Sequence, residues 1–200
     1  MKNKYITIER EYGSGGTKIA KLLAKELNIP CYGKEILEKV SKNQGVSYDA
    51  IESYEESVTS SFLYSVYMMS QVSSGSKDLL TKDGYVYVAE LDVIKEFAKE
   101  GPAVFLGHCA LEALKEFDNV VNVFIQCTDE ETKKNRIIED YNVPEKQIDS
   151  VRKRYDKKRS NYFHSNTGKK WHDMKNYDIV LDSGKIGIEG CVKVLKELME

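Results

Sequence analysis

A glycine-rich turn between a strand pattern and a helical pattern most constrains the fold of this chain. Residues 4–27 read KYITIEREYGSGGTKIAKLLAKEL. The apolar alternation at 5–8 predicts a β-strand, and apolar residues at helical spacing over 19–27 predict a helix. The glycines between them let the backbone curl so that successive N–H groups point toward an anion. The positive end of the helix dipole would strengthen such a site.

The turn matches part of the phosphate-loop consensus G-x-x-x-x-G-K-[ST]. Arg10 stands in place of the first glycine, Gly15 is the second, and Gly16 stands where the lysine is expected. Thr17 occupies the position whose hydroxyl binds Mg²⁺. Arg10 and Lys18 are nearby cations that could replace the missing lysine. The segment therefore predicts either a phosphate-binding loop or a tight strand-to-helix turn without a ligand.

Composition and charge narrow the class of protein. The chain has 200 residues, of which 41% are hydrophobic and 31% charged, and this fits one domain of ordinary size. A formal net charge of −2 gives no general reason to expect nucleic-acid binding. No run approaches the roughly 18 apolar residues of a membrane span, and the N-terminus lacks the apolar region of a signal peptide. We therefore expect a cytoplasmic protein that does not bind membranes.

The cysteines give no sign of a metal site or a disulfide framework. The four cysteines have no C-x-x-C spacing, and no histidine cluster accompanies them. Reduced thiols are therefore the expected state of Cys31, Cys109, Cys127 and Cys191.

Strand patterns alternate with helical patterns along the rest of the chain. The periodicity predicts strands at 103–107, 120–126 and 177–181. It predicts helices at 34–44, 85–100, 109–116, 129–141, 144–162 and 186–199. A strand at 85–88 is an alternative to the start of one helix. Because strands and helices alternate, we expect a parallel sheet covered on both faces.

Residues 34–82 read as a helical insertion on the main sheet. A polar helix is predicted at 49–56, and an apolar stripe at helical spacing follows within 58–72. The stripe consists of Phe62, Leu63, Val66, Met69 and Val72. It predicts packing within the protein or at a homodimer contact. A lipid-surface helix would need cationic residues, and this segment has none.

A basic segment at 151–171 is the second informative region. It reads VRKRYDKKRSNYFHSNTGKKW and has eight lysines and arginines against one acid. Arg152, Asp156 and Arg159 stand at i, i+4 and i+7, so a helix would place them on one face. An acid between two arginines can fix their guanidinium planes for phosphate contacts. A solvated basic face and an RNA-binding patch are the alternatives, although the basic charge does not spread beyond this segment.

Taken together, these features resemble the cytidylate kinase-like branch of the P-loop nucleoside monophosphate kinases. The resemblance rests on ITIEREYGSGGTKIAKLLAKEL, AVFLGHCALEAL and DKKRSNYFHSNTGKKWHDMKNYDIVLDS, in the family's order over nearly the full length. It implies an α/β fold, a P-loop NTPase-type three-layer sandwich with a five-stranded parallel sheet of order 2-3-1-4-5. It also implies one domain over 1–200, with a monophosphate-binding insertion at about 34–82 and a basic lid at about 152–172.

The resemblance also implies roles for individual residues. Five residues match the family's phosphate loop: Gly13, Ser14, Gly15, Gly16 and Thr17. Arg152, Asp156 and Arg159 match the R-x-x-x-D-x-x-R lid pattern and would serve catalysis. The implied reaction moves the γ-phosphoryl of ATP to CMP or dCMP with Mg²⁺, which Thr17 would hold. Such chemistry depends on positioning and charge neutralisation more than on a covalent nucleophile.

Three departures from typical cytidylate kinases leave the acceptor and the activity open. Gly16 replaces the lysine, as it does elsewhere in the cytidylate kinase-like branch. Leu106 stands where an acid that supports Mg²⁺ is expected, and His108 stands where an arginine would contact the acceptor. The segment Tyr32-Gly33 lacks the aspartate often seen after the tyrosine. His108 is therefore a candidate substrate-binding residue, with a pH-sensitive group or a packed polar residue as alternatives.

Two functional hypotheses follow from these features. The first is an ATP- and Mg²⁺-dependent nucleoside monophosphate kinase. The second is a nucleotide- or phosphate-binding regulatory protein that keeps the fold without transferring phosphate. A kinase acting on another small acceptor is a third alternative. Trp171 is predicted to anchor the far end of the lid to the core, and His164 and His172 are predicted to lie at the surface.

Overall fold

The computed structural model describes residues 2–45, 47–48 and 82–200, with side chains described from residue 86 onward in the last range. Five strands form one parallel sheet of order β2-β3-β1-β4-β5. The strands are Tyr5–Arg10 (β1), Cys31–Tyr32 (β2), Ala103–Leu106 (β3), Val120–Gln126 (β4) and Ile179–Asp182 (β5). The predicted parallel sheet and its strand order are therefore confirmed.

Helices connect the strands and cover the sheet. They are Gly16–Leu27 (α1), Lys34–Gln44 (α2), Lys82–Glu100 (α3), Ala110–Ala113 (α4), Glu130–Tyr141 (α5), Ile148–Thr167 (α6) and Ser183–Met199 (α7). The carboxylates of Asp129 and Asp182 cap α5 and α7 by accepting backbone N–H groups of Thr132 and Gly184. None of the helices in the described ranges is long and apolar enough to cross a membrane.

The two faces of the sheet bury separate hydrophobic layers because successive strand residues point to opposite sides. Ile6 and Ile8 pack into the layer that includes α1 and α7. Tyr5 and Phe105 pack into the layer that includes α2, α3 and α4. The result is the predicted three-layer sandwich, in which both faces of the central strands are dry.

The parallel register places the turns that follow β1 and β3 at the same edge of the sheet. Ile8 pairs with Leu106 on one side and with Val123 on the other. Because the strands are parallel, β1 and β3 end together, and the turns that follow them leave the sheet side by side. The order of the chain reverses at β1, which is where open α/β sheets place their ligands.

Some predicted boundaries differ from the observed ones. Residues 85–88 belong to α3, so the strand alternative is wrong, and Val86, Ala89, Val93 and Ile94 share a buried face. Helix α6 runs to Thr167, beyond the predicted end at 162, and stops where Gly168 adopts a left-handed conformation with φ 70°. The predicted helix at 49–56 and the apolar stripe within 58–72 lie outside the described residues.

Trp171 fixes the chain after α6 to the core. Its side chain is 1% exposed and packs with Phe124 and Phe163 in one buried cluster. Its Nε1–H donates to Glu9 Oε2 at 3.0 Å. The predicted anchoring role of Trp171 is confirmed, and His164 and His172 are exposed as predicted.

Candidate active site

The glycine-rich turn forms a compact loop between β1 and the first turn of α1. Gly13 and Gly15 adopt left-handed backbone conformations, with φ of 78° and 75°. Residues with a Cβ enter this region only at a cost, so the loop shape requires glycine at both positions. Ser14 is fully buried, and its hydroxyl donates to the carbonyl of Glu11 at 2.8 Å.

Several N–H groups of this loop and of the start of α1 are left for a ligand. The N–H of Gly16 points to Ser14 Oγ at 3.3 Å, and the N–H of Ser14 donates to Glu11. Among the described residues, no acceptor meets the N–H groups of Gly13, Gly15, Thr17 and Lys18. Donors at a helix start, together with the helix dipole, are the usual protein partners of phosphate.

Two side chains from other helices hold the loop in place. Arg136 Nη1 on α5 donates to the Ser14 carbonyl at 3.1 Å, and the Ser183 hydroxyl at the start of α7 donates to the same carbonyl at 2.5 Å. Arg136 also donates to Ser183 Oγ at 2.8 Å. The sequence analysis missed both residues, because nothing in their local spacing links them to a loop more than 100 positions away.

The side chain of Arg10 accounts for a glycine at position 16, where the consensus has lysine. A Cβ at position 16 would lie 2.6 Å from Arg10 Cβ and 2.9 Å from Arg10 Cγ. The lysine of the consensus therefore cannot be added to this loop without moving Arg10. The guanidinium of Arg10 reaches Gly107, where a Cβ would be 2.6 Å from Nη1. Arg10 thus brings a cation from beside the loop to the turn after β3.

A cavity of about 200 Å³ lies where α6 crosses the ends of β1 and β3. Its lining comes from β1, from the turn after β3 and from α6. The lining residues are Glu9, Arg10, Gly107, His108, Tyr155, Lys158, Arg159, Tyr162 and Phe163. Three of these are permanent cations and a fourth is a histidine, so the cavity suits an anion.

Helix α6 docks onto the glycine loop through two contacts with its backbone. Asp156 Oδ1 accepts the N–H of Tyr12 at 2.7 Å, and Arg159 Nη1 donates to the Arg10 carbonyl at 3.0 Å. Tyr155 stacks on Tyr12 with ring centroids 4.7 Å apart and planes 8° from parallel. The structure thus brings Asp156 and Arg159 to the loop.

Arg152 does not join this contact. It pairs with Glu130 on α5, and its Nη2 lies 3.9 Å from Asp149. Asp156 lies 4.0 Å from Arg159 Nη1 and bonds to the loop backbone, so it does not sit between two arginines as expected. The helical spacing was read correctly, but the crossing of α6 over the loop decides which partner each side chain meets.

His108 lies at the cavity in an unusual backbone conformation. Gly107, His108 and Cys109 have consecutive positive φ values of 79°, 55° and 51°. For residues other than glycine such values are uncommon and mark an over-determined turn. Nδ1 of His108 lies 3.4 Å from Oε2 of Glu90, a buried acid on α3 that the sequence analysis missed.

Within the ranges that the structure describes, the protein offers few ligands for Mg²⁺. Thr17 stands in the first turn of α1 and is partly exposed, so its hydroxyl is available. Leu106 is 6% exposed and packs in the core, so this position supplies no carboxylate. The described part of the chain contains no group of three acidic, histidine or cysteine residues able to hold a metal. This donor set fits an ion bound mainly by phosphate oxygens and water, as Mg²⁺ often is.

Comparisons with known proteins agree with this fold. The chain is similar to a crystal structure of an uncharacterized protein from Eubacterium ventriosum ATCC 27560, at 27% identity and TM-score 0.72, with 98% of this chain and 97% of that chain covered. It is also similar to shikimate kinase from Bacteroides thetaiotaomicron, at 14% identity and TM-score 0.51, with 97% of each chain covered. That second likeness concerns the fold, which is that of the P-loop kinases.

The family follows from the sequence itself. The cytidylate kinase-like family matches residues 5–185, and the chain belongs to that family. No curated protein sequence matches the chain at a significant level. The predicted family is therefore confirmed, and with it a kinase-like, nucleotide-binding class of protein.

The contact between Gly16 and Arg10 predicts a specific coupling. Gly16→Lys alone should lower the free energy of unfolding by about 1–3 kcal/mol, because its Cβ overpacks against Arg10. Adding Arg10→Gly, which restores the consensus at both positions, should recover at least half of that loss. Urea unfolding of the single and double variants measures the coupling.

Arg10→Ala is the matched control for this cycle. Alanine keeps the Cβ that lies 2.6 Å from the added atom. Arg10→Ala with Gly16→Lys should therefore stay as unstable as Gly16→Lys alone. Equal recovery with alanine and with glycine would show that the contact with the Cβ of residue 10 is not the cause.

The buried contact of Asp156 predicts a pH effect. Burial raises the pKa of Asp156 above its ordinary value, against the opposing effects of the Tyr12 N–H and Arg159. The folded state then binds this proton more tightly than the unfolded chain, so stability falls as pH rises from about 4 through the folded pKa. Asp156→Asn keeps an acceptor oxygen but no charge, and should show a smaller fall in Tm over that interval.

Asp149→Asn is the control for the same helix, because Asp149 is exposed. Its Tm should follow the wild-type pH profile. Identical profiles for wild type and Asp156→Asn would contradict the assigned cost of ionising Asp156.

Proposed function

We propose that this protein is a nucleoside monophosphate kinase-like phosphotransferase that moves the γ-phosphoryl of ATP to CMP or dCMP. The observation that carries the proposal is the cationic cavity beside the glycine loop. Arg10, Lys158 and Arg159 line it, and it lies at the ends of β1 and β3. A phosphoryl group in transfer needs positive charge at this place, between a donor on the loop and an acceptor in the cavity.

The glycine loop would hold the donor. Gly13, Gly15 and the start of α1 offer N–H groups to the phosphates of ATP. Arg10 would take the part of the missing lysine, because its side chain occupies the space beside Gly16. Lys18 is exposed on the first turn of α1 and would add charge at the loop. Mg²⁺ would be held by Thr17 and the phosphates and would neutralise their charge.

Helix α6 would act as the lid, within the proposed segment 152–172. Arg159 would neutralise charge on the transferring group, since it lines the cavity and already contacts the loop backbone. Asp156 would position α6 on the loop through the Tyr12 N–H. Arg152 contacts Glu130 and would reach the phosphates only after leaving that pair.

The acceptor would enter from the side of the cavity formed by the turn after β3. We propose that His108 contacts its phosphate and that the insertion at 34–82 covers its base and sugar. An ionised phosphate is itself the nucleophile, so this reaction requires orientation and water exclusion more than a general base.

A catalytically impaired nucleotide- or phosphate-binding protein is the second candidate. Leu106 gives no carboxylate at the position that usually supports Mg²⁺. In addition, Asp156 accepts a loop N–H, so an acid already lies against the loop. These two features favour binding without transfer.

A coupled assay with ATP, Mg²⁺ and a panel of nucleoside monophosphates separates the two candidates, together with the thermal shift caused by ATP. Transfer to CMP or dCMP would establish the kinase. A thermal shift without transfer to any acceptor would favour the binding protein. If ATP causes no thermal shift and no phosphoryl transfer is observed, both candidates are rejected, and the glycine loop is a structural turn.

Arg159→Ala tests the lid assignment. Loss of one group that stabilises the transferring charge should lower kcat about 100- to 1000-fold. The lost hydrogen bond to the Arg10 carbonyl should cost only about 1 kcal/mol of stability. Lys157→Ala removes an exposed cation two positions earlier on the same helix and should change neither quantity. A loss of activity that merely follows a large loss of Tm would make Arg159 a structural residue.

A further inference from the structure

Glu90 is a fully buried acid next to the cavity, and it comes from α3 instead of the loop or the lid. Its Oε2 accepts the hydroxyl of Tyr162 at 2.5 Å and lies 3.4 Å from Nδ1 of His108. Burying a carboxylate is costly unless charged or hydrogen-bonding partners meet it. Glu90 therefore joins three elements: α3, the turn after β3, and α6.

The contact with Glu90 determines which ring nitrogen of His108 is available to a ligand in the cavity. The His108 side chain is 12% exposed and lines the cavity. This contact is not a hydrogen bond, but the Glu90 carboxylate lies 3.4 Å from Nδ1, so its charge favours a proton on that nitrogen of the neutral ring. Nε2 is then the nitrogen left for a ligand. The adjacent negative charge also favours the protonated ring, which is a cation.

Other charged groups at the cavity act on His108 from two further elements. From β1 these are Glu9 and Arg10, and from α6 they are Lys158, Arg159 and the hydroxyls of Tyr155 and Tyr162. The three permanent cations disfavour a fourth positive charge nearby. Glu90 opposes them most directly, since its carboxylate faces the ring itself.

We infer that Glu90 is a positioning residue that holds His108 as a cation, with Nε2 directed to the phosphate of the acceptor. The inference rests on the proposed function and deepens it, because it assigns the acceptor's phosphate to this part of the cavity. Tyr162 belongs to α6, so the same carboxylate ties the phosphate contact to the position of the lid. Acceptor binding should then weaken when His108 loses its proton.

Nitrogen NMR of the nucleotide-free protein tests the positioning directly. In the wild type, neutral His108 should carry its proton on Nδ1. Glu90→Gln should lower the midpoint of His108 titration and weaken the binding of inorganic phosphate several-fold near neutral pH. His108→Gln identifies the signal among the three histidines of the chain.

Glu96→Gln is the matched control on the same helix. Glu96 is half exposed and pairs with Lys39 at 2.7 Å, away from the cavity lining. It should leave the His108 midpoint and phosphate binding unchanged.

Two results would overturn the inference. One is a neutral His108 protonated on Nε2 in the wild type, a measurement that does not depend on the folding of any variant. The other is an unchanged His108 midpoint in folded Glu90→Gln. A proton on Nδ1 and phosphate binding that depends on Glu90, without transfer to any nucleoside monophosphate, would support the positioning role and reject the proposed kinase reaction.

Discussion

The carbonyl oxygen of Ser14 is the point on which the candidate site depends. Arg136 and Ser183 reach it from two helices and donate to it together. Around it, Ile137 and Ile188 fill the space beside the two left-handed glycines. The loop is therefore shaped by its own glycines but held by distant parts of the chain. Its N–H groups are already ordered in the absence of a ligand, which would lower the entropic cost of binding one.

The fold could be predicted from the sequence because its signals are local. Alternation in β1 and helical spacing in α1 are each read within a dozen residues, and parallel topology follows from the alternation of elements. The glycines at positions 13 and 15 also indicate a tight turn from the local sequence, because their backbone conformation excludes most other residues. The order of the motifs along the chain was enough to identify the family, which the match over residues 5–185 confirms.

The partners within the site could not be predicted in the same way. Spacing placed Arg152 and Asp156 on one helix face, but the angle at which α6 crosses the loop sends Arg152 to Glu130 and Asp156 to a backbone N–H. The sequence analysis did not single out Glu90. Helical spacing alone places Glu90 on the buried face of α3. Its contacts with α6 and with the turn that carries His108 are decided by packing, and no pattern within α3 encodes those partners.

Both hydrogen bonds from α6 to the glycine loop are made to main-chain atoms, at positions 10 and 12. Every amino acid presents the same carbonyl, and every residue except proline presents the same N–H. A substitution at position 10, which lines the cavity, can therefore alter the charge and shape of the cavity while both hydrogen bonds persist. Selection can act on the choice of ligand and on the attachment of the helix as separate traits. A family built on this loop is thus free to diversify its ligands without changing the way this helix is attached.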